Sequence, residues 1–274
     1  MLIDTHCHLD MSAFDTDRRQ VIERALAVGV QAIVIPAVEA CSWARTIECA
    51  YSFAGGYYAL GIHPMFVPQA SEADLAKLEA LLSRQLDDPR LVAVGEIGLD
   101  FFIPELRTTE MKAKQIKFYT AQLRLAQRLG LPVLLHVRRS QDLILKYLRR
   151  YPQVKGIAHA FNGSFQQAER FLAAGFALGF GGAMTFTRAK QIRRLATQLP
   201  LEAIVLETDA PDIPPAWLTA HEGQAPRNEP CHVAGCAQLL AQLRSAPLPQ
   251  VESQTTRNAL QVLPRLAAHL KLTH

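Results

Sequence analysis

Side chains suited to a divalent cation recur along this chain, each at the C-terminal end of an apolar run. Asp4-Thr5-His6-Cys7-His8 follows residues 1–3, Glu96 follows 91–95, His136 follows 131–135, His159 follows 154–158, and Glu207-Thr208-Asp209 follows 203–206. Neutral imidazoles together with carboxylates suit zinc, manganese or iron. Residues two apart on a strand point the same way, so His6 and His8, with Asp4, are expected on one face and Thr5 and Cys7 on the other. The set His6, His8, Glu96, His136, His159 and Asp209 exceeds one four-coordinate site, which implies two cations with Glu96 between them. Two divalent cations about 3.5–4 Å apart can hold a hydroxide, lower its pKa toward neutrality and clamp both oxygens of an in-line displacement. Glu207 and Asp209 share a strand face. Asp209 is the better ligand and general base and Glu207 its support, although the two roles are exchangeable. The chemistry implied is metal-dependent hydrolysis, with Asp209, Glu96 and Glu207 as the catalytic carboxylates.

Groups so far apart in sequence converge only if the strands that carry them are parallel and share one rim, as at the active-site face of a (β/α)8 TIM barrel. The hydrophobic pattern supplies such strands at 2–5, 31–36, 57–61, 91–95, 132–136, 155–159, 176–180 and 202–207. Helical spacing fills the intervals 15–28, 42–52, 72–86, 109–129, 140–150, 164–174 and 188–198. Ser71-Glu-Ala-Asp74 and Ser164-Phe-Gln-Gln167 are helix-start signals, and Gly29 and Gly130 are stops. A Pro-rich loop, 210–230, precedes a C-terminal stretch, 231–272, expected as two or three helices packed outside the barrel. A doubly wound open sheet would need a glycine-rich phosphate loop after the first strand. Asp-Thr-His-Cys-His stands there instead.

The chain has 274 residues, 49% hydrophobic and 20% charged, which suits one barrel domain spanning 1–274. No apolar stretch approaches the roughly 20 residues of a membrane helix, and Met1 runs directly into the first strand without a basic segment or cleavage site. Five cysteines without framework spacing point to reduced thiols. A cytoplasmic protein is expected. Cys231 and Cys236 have neither zinc-knuckle nor redox spacing and read as small helix residues. Arg107 to Lys155 holds twelve lysines and arginines against Glu110 and Asp142, a charge of +10 in a chain of net +4. A basic face would attract a polyanion, although most of these charges also read as the solvated faces of two helices. No feature marks a dimer surface, and a monomer is compatible with the sequence.

Seven blocks occur in order: DTHCHLD at 4–10, GIHP at 61–64, VGEIGLD at 94–100, LPVLLHVR at 131–138, HAFNGS at 159–164, LETDAP at 206–211 and RNEP at 227–230. Through them the chain resembles the TatD family of metal-dependent deoxyribonucleases in the amidohydrolase superfamily. The resemblance implies one metal held by His6, His8, Glu96 and Asp209 and a second held by Glu96, His136 and His159. It further implies 3′ to 5′ exonuclease action on DNA, favouring single-stranded ends, with magnesium, manganese or zinc in support. Two departures, HAFNGS where many members have HCFTG and Gly181 where serine is common, touch pocket loops and spare the ligand positions.

A phosphodiester needs groups that recognise it. Arg138 offers a planar fork two residues beyond His136, His63 can donate to a non-bridging oxygen, and Phe101 and Phe102 lie where bases would stack or where the loop packs down. Arg227 and Asn228 either close on substrate or fix their loop to the rim. The same centre could instead hydrolyse an amide, lactone or ester, including the aminoacyl ester on transfer RNA. A non-enzymatic metal-binding or nucleic-acid-binding module is disfavoured, because a structural site needs only four closed ligands.

Overall fold

The computed structural model describes residues 1–219 and 226–273, so residues 220–225 of the Pro-rich loop lie outside the described residues. Eight strands form one parallel sheet in sequential order: β1 (Leu2–Asp4), β2 (Val30–Pro36), β3 (Gly56–Leu60), β4 (Leu91–Asp100), β5 (Val133–Arg138), β6 (Gly156–Ala158), β7 (Phe176–Phe180) and β8 (Ile204–Leu206). Seven helices connect them: α1 (Arg18–Ala27), α2 (Trp43–Tyr51), α3 (Glu72–Arg84), α4 (Thr109–Leu129), α5 (Gln141–Leu148), α6 (Phe165–Ala173) and α7 (Lys190–Gln198). The architecture is the (β/α)8 TIM barrel expected from the strand and helix alternation. Both capping boxes form, at Ser71/Asp74 and Ser164/Gln167. Gly130 ends α4 with φ 65°, a left-handed conformation that glycine adopts without steric cost.

The seam between β8 and β1 is closed just beyond the strand ends. Thr5 N–H donates to the Leu206 carbonyl (3.1 Å), Asp209 N–H to that of His6 (2.8 Å) and His8 N–H to that of Ala210 (2.8 Å). Asp4 adds a side-chain stitch: its carboxylate accepts from the Thr208 hydroxyl (2.5 Å), the Thr208 N–H (3.0 Å) and the His6 N–H (3.2 Å). The expectation that Asp4 shares a face with His6 and His8 is therefore corrected. The strand stops at Asp4, Ile3 is its inward residue, and the chain turns before the two histidines swing in.

Two apolar layers result from the alternation. Ile3, Ala32, Val34, Tyr57, Ala59, Val92, Leu134, Ile157, Ala177 and Val205 fill the barrel interior. Residues of opposite parity, such as Ile33, Ile35, Tyr58, Leu60, Val133 and Leu135, face the helices.

The C-terminal stretch forms three helices, α8 (Val233–Arg244), α9 (Leu248–Val262) and α10 (Pro264–Thr273). They are not all simply external. Ala259, Val262, Leu263, Leu266 and Leu270 join the interior layer and close the N-terminal end of the barrel. Among the described residues no helix is long and apolar enough to cross a membrane.

Candidate metal centre

The barrel's inward parity continues from the apolar interior to its C-terminal mouth, where polar side chains replace aliphatic ones. His136 follows Leu134 on β5, His159 follows Ile157 past β6, and Glu207 follows Val205 past β8. On β4 Ala93 lies inward beside Ala59 and Val94 outward, so Glu96 joins His136, His159 and Glu207 through an irregularity. β4 runs on to Asp100 and carries one extra residue between Val94 and Ile97 against Val133 and Leu135 of β5, a bulge that turns Glu96 inward. His136 likewise sits within its strand, which extends to Arg138.

Glu96 is the hub. Its Oε2 lies 3.1 Å from His6 Nε2 and 3.5 Å from His8 Nε2, whereas Oε1 lies 3.0 Å from His136 Nδ1 and 3.4 Å from His63 Nε2. Asp209 Oδ1 stands 3.7 Å from His6 Nε2, 3.6 Å from His8 Nε2 and 3.5 Å from His159 Nε2. Among the described residues three sets of donor atoms lie close enough to grip an ion: His6, His8 and Asp209; His6, Glu96 and His159; and His63, Glu96 and His136. His159 stacks on His6, with ring centroids 3.6 Å apart, and so groups with it rather than with His136. Asp209, with φ 59°, holds its place in left-handed backbone, as do Ala160 after His159 and Arg139 after Arg138. Strain of that kind clusters at functional sites.

Hydrogen bonding orients the rings. His8 Nδ1 faces the Pro36 carbonyl at 3.1 Å; a carbonyl only accepts, so Nδ1 carries a hydrogen and Nε2 is the nitrogen turned to Glu96 and Asp209. His63 is turned the other way. Its Nδ1 accepts from the Met65 N–H (3.2 Å), which leaves the hydrogen on Nε2. His136 Nε2 lies 3.0 Å from Asp100 Oδ2. Glu207 Oε1 accepts from the Ala160 N–H (2.6 Å) and lies 3.0 Å from His159 Nδ1, off the line of a hydrogen bond. Room for Glu207 comes from Gly179, whose replacement by any larger residue would put a Cβ 2.1 Å from Glu207 Oε2.

Burial and charge oppose each other here. Burial pulls the His8 imidazole down, but Glu96 and Asp209 outweigh it and push it up to about 9. His159 rises in the same way against burial, under Glu207 and Asp209. Burial raises the Asp209 carboxyl, yet His159, His6 and His8 hold it at about 2. Glu96 is likewise held well below the carboxylate range, burial being outweighed by His63 and His6. Burial drives His63 down to about 4, and pushes Asp4 up to about 8 against its hydrogen bond from Thr208.

The donor set fits divalent cations. Imidazole nitrogens and carboxylate oxygens are buried together at 3–4 Å, and among the described residues three buried polar atoms, His6 Nδ1, His159 Nδ1 and Glu207 Oε2, have no hydrogen-bond partner. A larger cleft, about 620 Å³, lies at the opposite end of the barrel between Gly130, Lys155, Phe176, Glu202 and Gln261. No candidate ion-binding group of the described residues lies there, so size does not locate the chemistry.

The residues expected to meet substrate separate into two kinds. Arg138 and Phe102 are exposed at the mouth, the guanidinium 3.8 Å from the ring centroid, with Arg139 at 4.7 Å. Phe101 packs against the core instead. Arg227 grips Asp17 with both terminal nitrogens (2.7 Å each) and also donates to Glu229 and the Ala13 carbonyl. Asn228 is buried, its amide donating to the carbonyls of Thr208 and Asp212. These two fix their loop to the rim. Sequence reasoning passed over Asp100 as a participant, though positions 96, 98 and 100 share the inward parity beyond the bulge. Much of the basic stretch lies on helix faces, where Lys114 donates to the Pro68 carbonyl and Lys117 and Arg128 pair with Glu72 and Glu79.

A family model described as TatD related DNase matches residues 3–264. YjjV of Escherichia coli K12, described as an uncharacterized metal-dependent hydrolase, is 38% identical over 257 residues, covering 93% of this chain and 95% of its own. The crystal structure of that TatD homologue superposes with a TM-score of 0.87 at 37% identity, covering 96% of this chain and 98% of the other. The protein named 3′-5′ ssDNA/RNA exonuclease TatD from Cronobacter turicensis is 33% identical, with 97% of this chain and 99% of that one covered.

Proposed function

The chain belongs to the TatD-related DNases, and from that membership we propose that it is a divalent-cation-dependent phosphodiesterase that removes nucleotides from single-stranded 3′ ends of DNA. The observation that carries the reading is the division of Glu96, one oxygen toward His6 and His8 and the other toward His136. A bridging carboxylate needs that division. His6, His8 and Asp209 would hold one cation with Glu96, and Glu96 with His136 would hold the other, His159 adding to it from the donor set it shares with Glu96. Magnesium, manganese and zinc all suit this mixture of oxygen and nitrogen. When bound, the pair would polarise the phosphodiester and lower the pKa of a water at neutral pH.

The remaining work falls to the chain itself. Asp209, slightly open to the mouth, accepts the proton of the attacking water. Glu207 braces His159 and the Ala160 N–H behind it. His63 presents an Nε2–H, fixed by its Met65 contact, to a non-bridging phosphate oxygen. Arg138 offers its fork to the neighbouring phosphate, and Phe102 a face for the adjoining base. An odd number of cysteines without framework spacing suits a cytoplasmic setting.

The test is single-stranded DNA labelled near its 3′ end, incubated with metal-stripped protein resupplied with magnesium, manganese or zinc, beside an Asp209→Asn variant. Stepwise, metal-dependent loss of 3′ nucleotides, absent in the variant, is expected. No cleavage despite full metal occupancy would overturn the DNA substrate and move it to ester or amide bonds.

A further inference from the structure

We propose that Asp100 is a positioning residue that couples the second cation position to the loop bearing Phe102; the inference rests on the two-cation reading above. A carboxylate can only accept hydrogen bonds, so the 3.0 Å contact between Asp100 Oδ2 and His136 Nε2 places a hydrogen on Nε2. The same rule gives Nδ1 a hydrogen toward Glu96 Oε1, 3.0 Å away, while no ion is shared there; a cation would replace that hydrogen and leave the one that Asp100 holds on Nε2. A ring freed from Asp100 keeps its last hydrogen on either nitrogen, and on Nδ1 it blocks that point.

The other oxygen of Asp100 serves the loop. Oδ1 accepts from the Phe102 N–H (2.8 Å) and the Ile103 N–H (3.3 Å), fixing the first turn after β4. Buried Gln115 of α4 holds the main chain beneath: its Oε1 accepts from the Asp100 N–H (2.9 Å), and its amide donates to the carbonyls of Asp100 (3.3 Å) and Leu106 (3.0 Å). Arg138, stacked on Phe102, approaches Asp100 Oδ2 to 3.8 Å. One fully buried carboxylate thus sets both the ring that would hold a cation and the platform that would hold a base. Alanine removes both functions. Asparagine keeps a carbonyl oxygen for His136 Nε2–H but cannot also accept from the loop through its amide nitrogen.

The test is Mn2+ binding to the full-length protein, followed by calorimetry and by electron paramagnetic resonance. The wild type is expected to take two ions with an exchange-coupled signal. In Asp100→Ala the second ion should weaken roughly ten- to hundredfold, isolated-ion signals replacing the coupled one, while the first ion stays near wild type and the lost loop hydrogen bonds lower the melting temperature modestly. Asp100→Asn should recover most of the second-ion affinity. Unchanged two-ion binding in the alanine variant would overturn the proposal. So would equal weakening of both ions, or an asparagine variant no better than alanine. A wild type that binds only one ion would instead overturn the two-cation reading, before any variant is examined.

Discussion

The two ends of this barrel are built from the same eight strands and the same inward parity, yet they obey opposite rules. At the N-terminal end the inward positions are Ile3, Val34, Tyr57, Val92 and Val205, capped by Leu263 at the junction of α9 and α10 and by Leu266 and Leu270 of α10. At the C-terminal end the same parity delivers Glu96, His136, His159 and Glu207, together with left-handed backbone at Asp209 and Ala160 and polar atoms lacking protein partners. The first end removes apolar surface from water. The second concentrates charge in a poorly solvated mouth, which destabilises unless cations or protons compensate it. Stability and chemistry are therefore separable, and substitutions at the two ends should separate them.

The largest expected effect lies at the mouth. Glu96→Ala removes the carboxylate between the two histidine sets, and turnover should fall by at least about a hundredfold, the scale of losing one group that stabilises transition-state charge. Metal content should drop by at least one ion, and circular dichroism should show an intact fold. An unfolded variant, or full activity with full metal content, would break both the bridging role and the contrast between the ends.

Leu266→Ala at the capped end should do the converse. Truncating a fully buried leucine costs about 2–5 kcal/mol, which lowers the melting temperature by several degrees. Activity per folded molecule should stay at the wild-type level. A loss of turnover in proportion to stability would show that the two ends are not independent.

Gly179→Ala tests the boundary. Its new methyl would meet Glu207 Oε2 at 2.1 Å, while the next inward position of β7 toward the capped end is already Ala177. Moving Glu207 disturbs the Ala160 N–H and His159, so a roughly ten- to hundredfold fall in turnover is expected. Destabilisation should stay within about 1–3 kcal/mol. Turnover and urea midpoint measured on the same preparation decide whether Gly179 belongs to the mouth.

The fold was legible because strands buried on both faces read as continuous apolar runs, and the ligand types at their ends stood out against them. Strand 176–180 and helix 109–129 coincide with β7 and α4 for that reason. What alternation alone could not supply was register near the mouth. The bulge at Glu96 adds a residue to β4, so the inward side held by Ala93 beside Ala59 passes to Glu96, Gly98 and Asp100, and Asp100 meets His136, a partner on another strand. The early end of β1 sends Asp4 to the seam although its spacing matches His6 and His8. Arg227 and Asn228 were ambiguous because their partners, Asp17 and the Thr208 carbonyl, are distant in sequence or part of the main chain. The apolar character of 259–270 was visible, but that it would cap the barrel depends on a three-dimensional contact.

The smallest effect concerns Arg227, which sits at the chemical end but whose contacts are those of a structural tie. Its hydrogen bonds hold the Asp17 carboxyl below the usual range, against a small opposing effect of burial. A depressed folded pKa gives stability that is present above the unfolded value near 3.8 and lost as pH falls through the folded value. Glu229 shifts in the same direction, with Arg24 and Arg227 overcoming burial. Because both partners are partly exposed, solvent screening limits the tie to under about 1 kcal/mol. Urea midpoints of wild type and Arg227→Ala should therefore differ slightly at neutral pH and converge below about pH 4 as Asp17 protonates. A variant equally stable at neutral pH but slow on DNA would instead return Arg227 to the substrate side of the molecule.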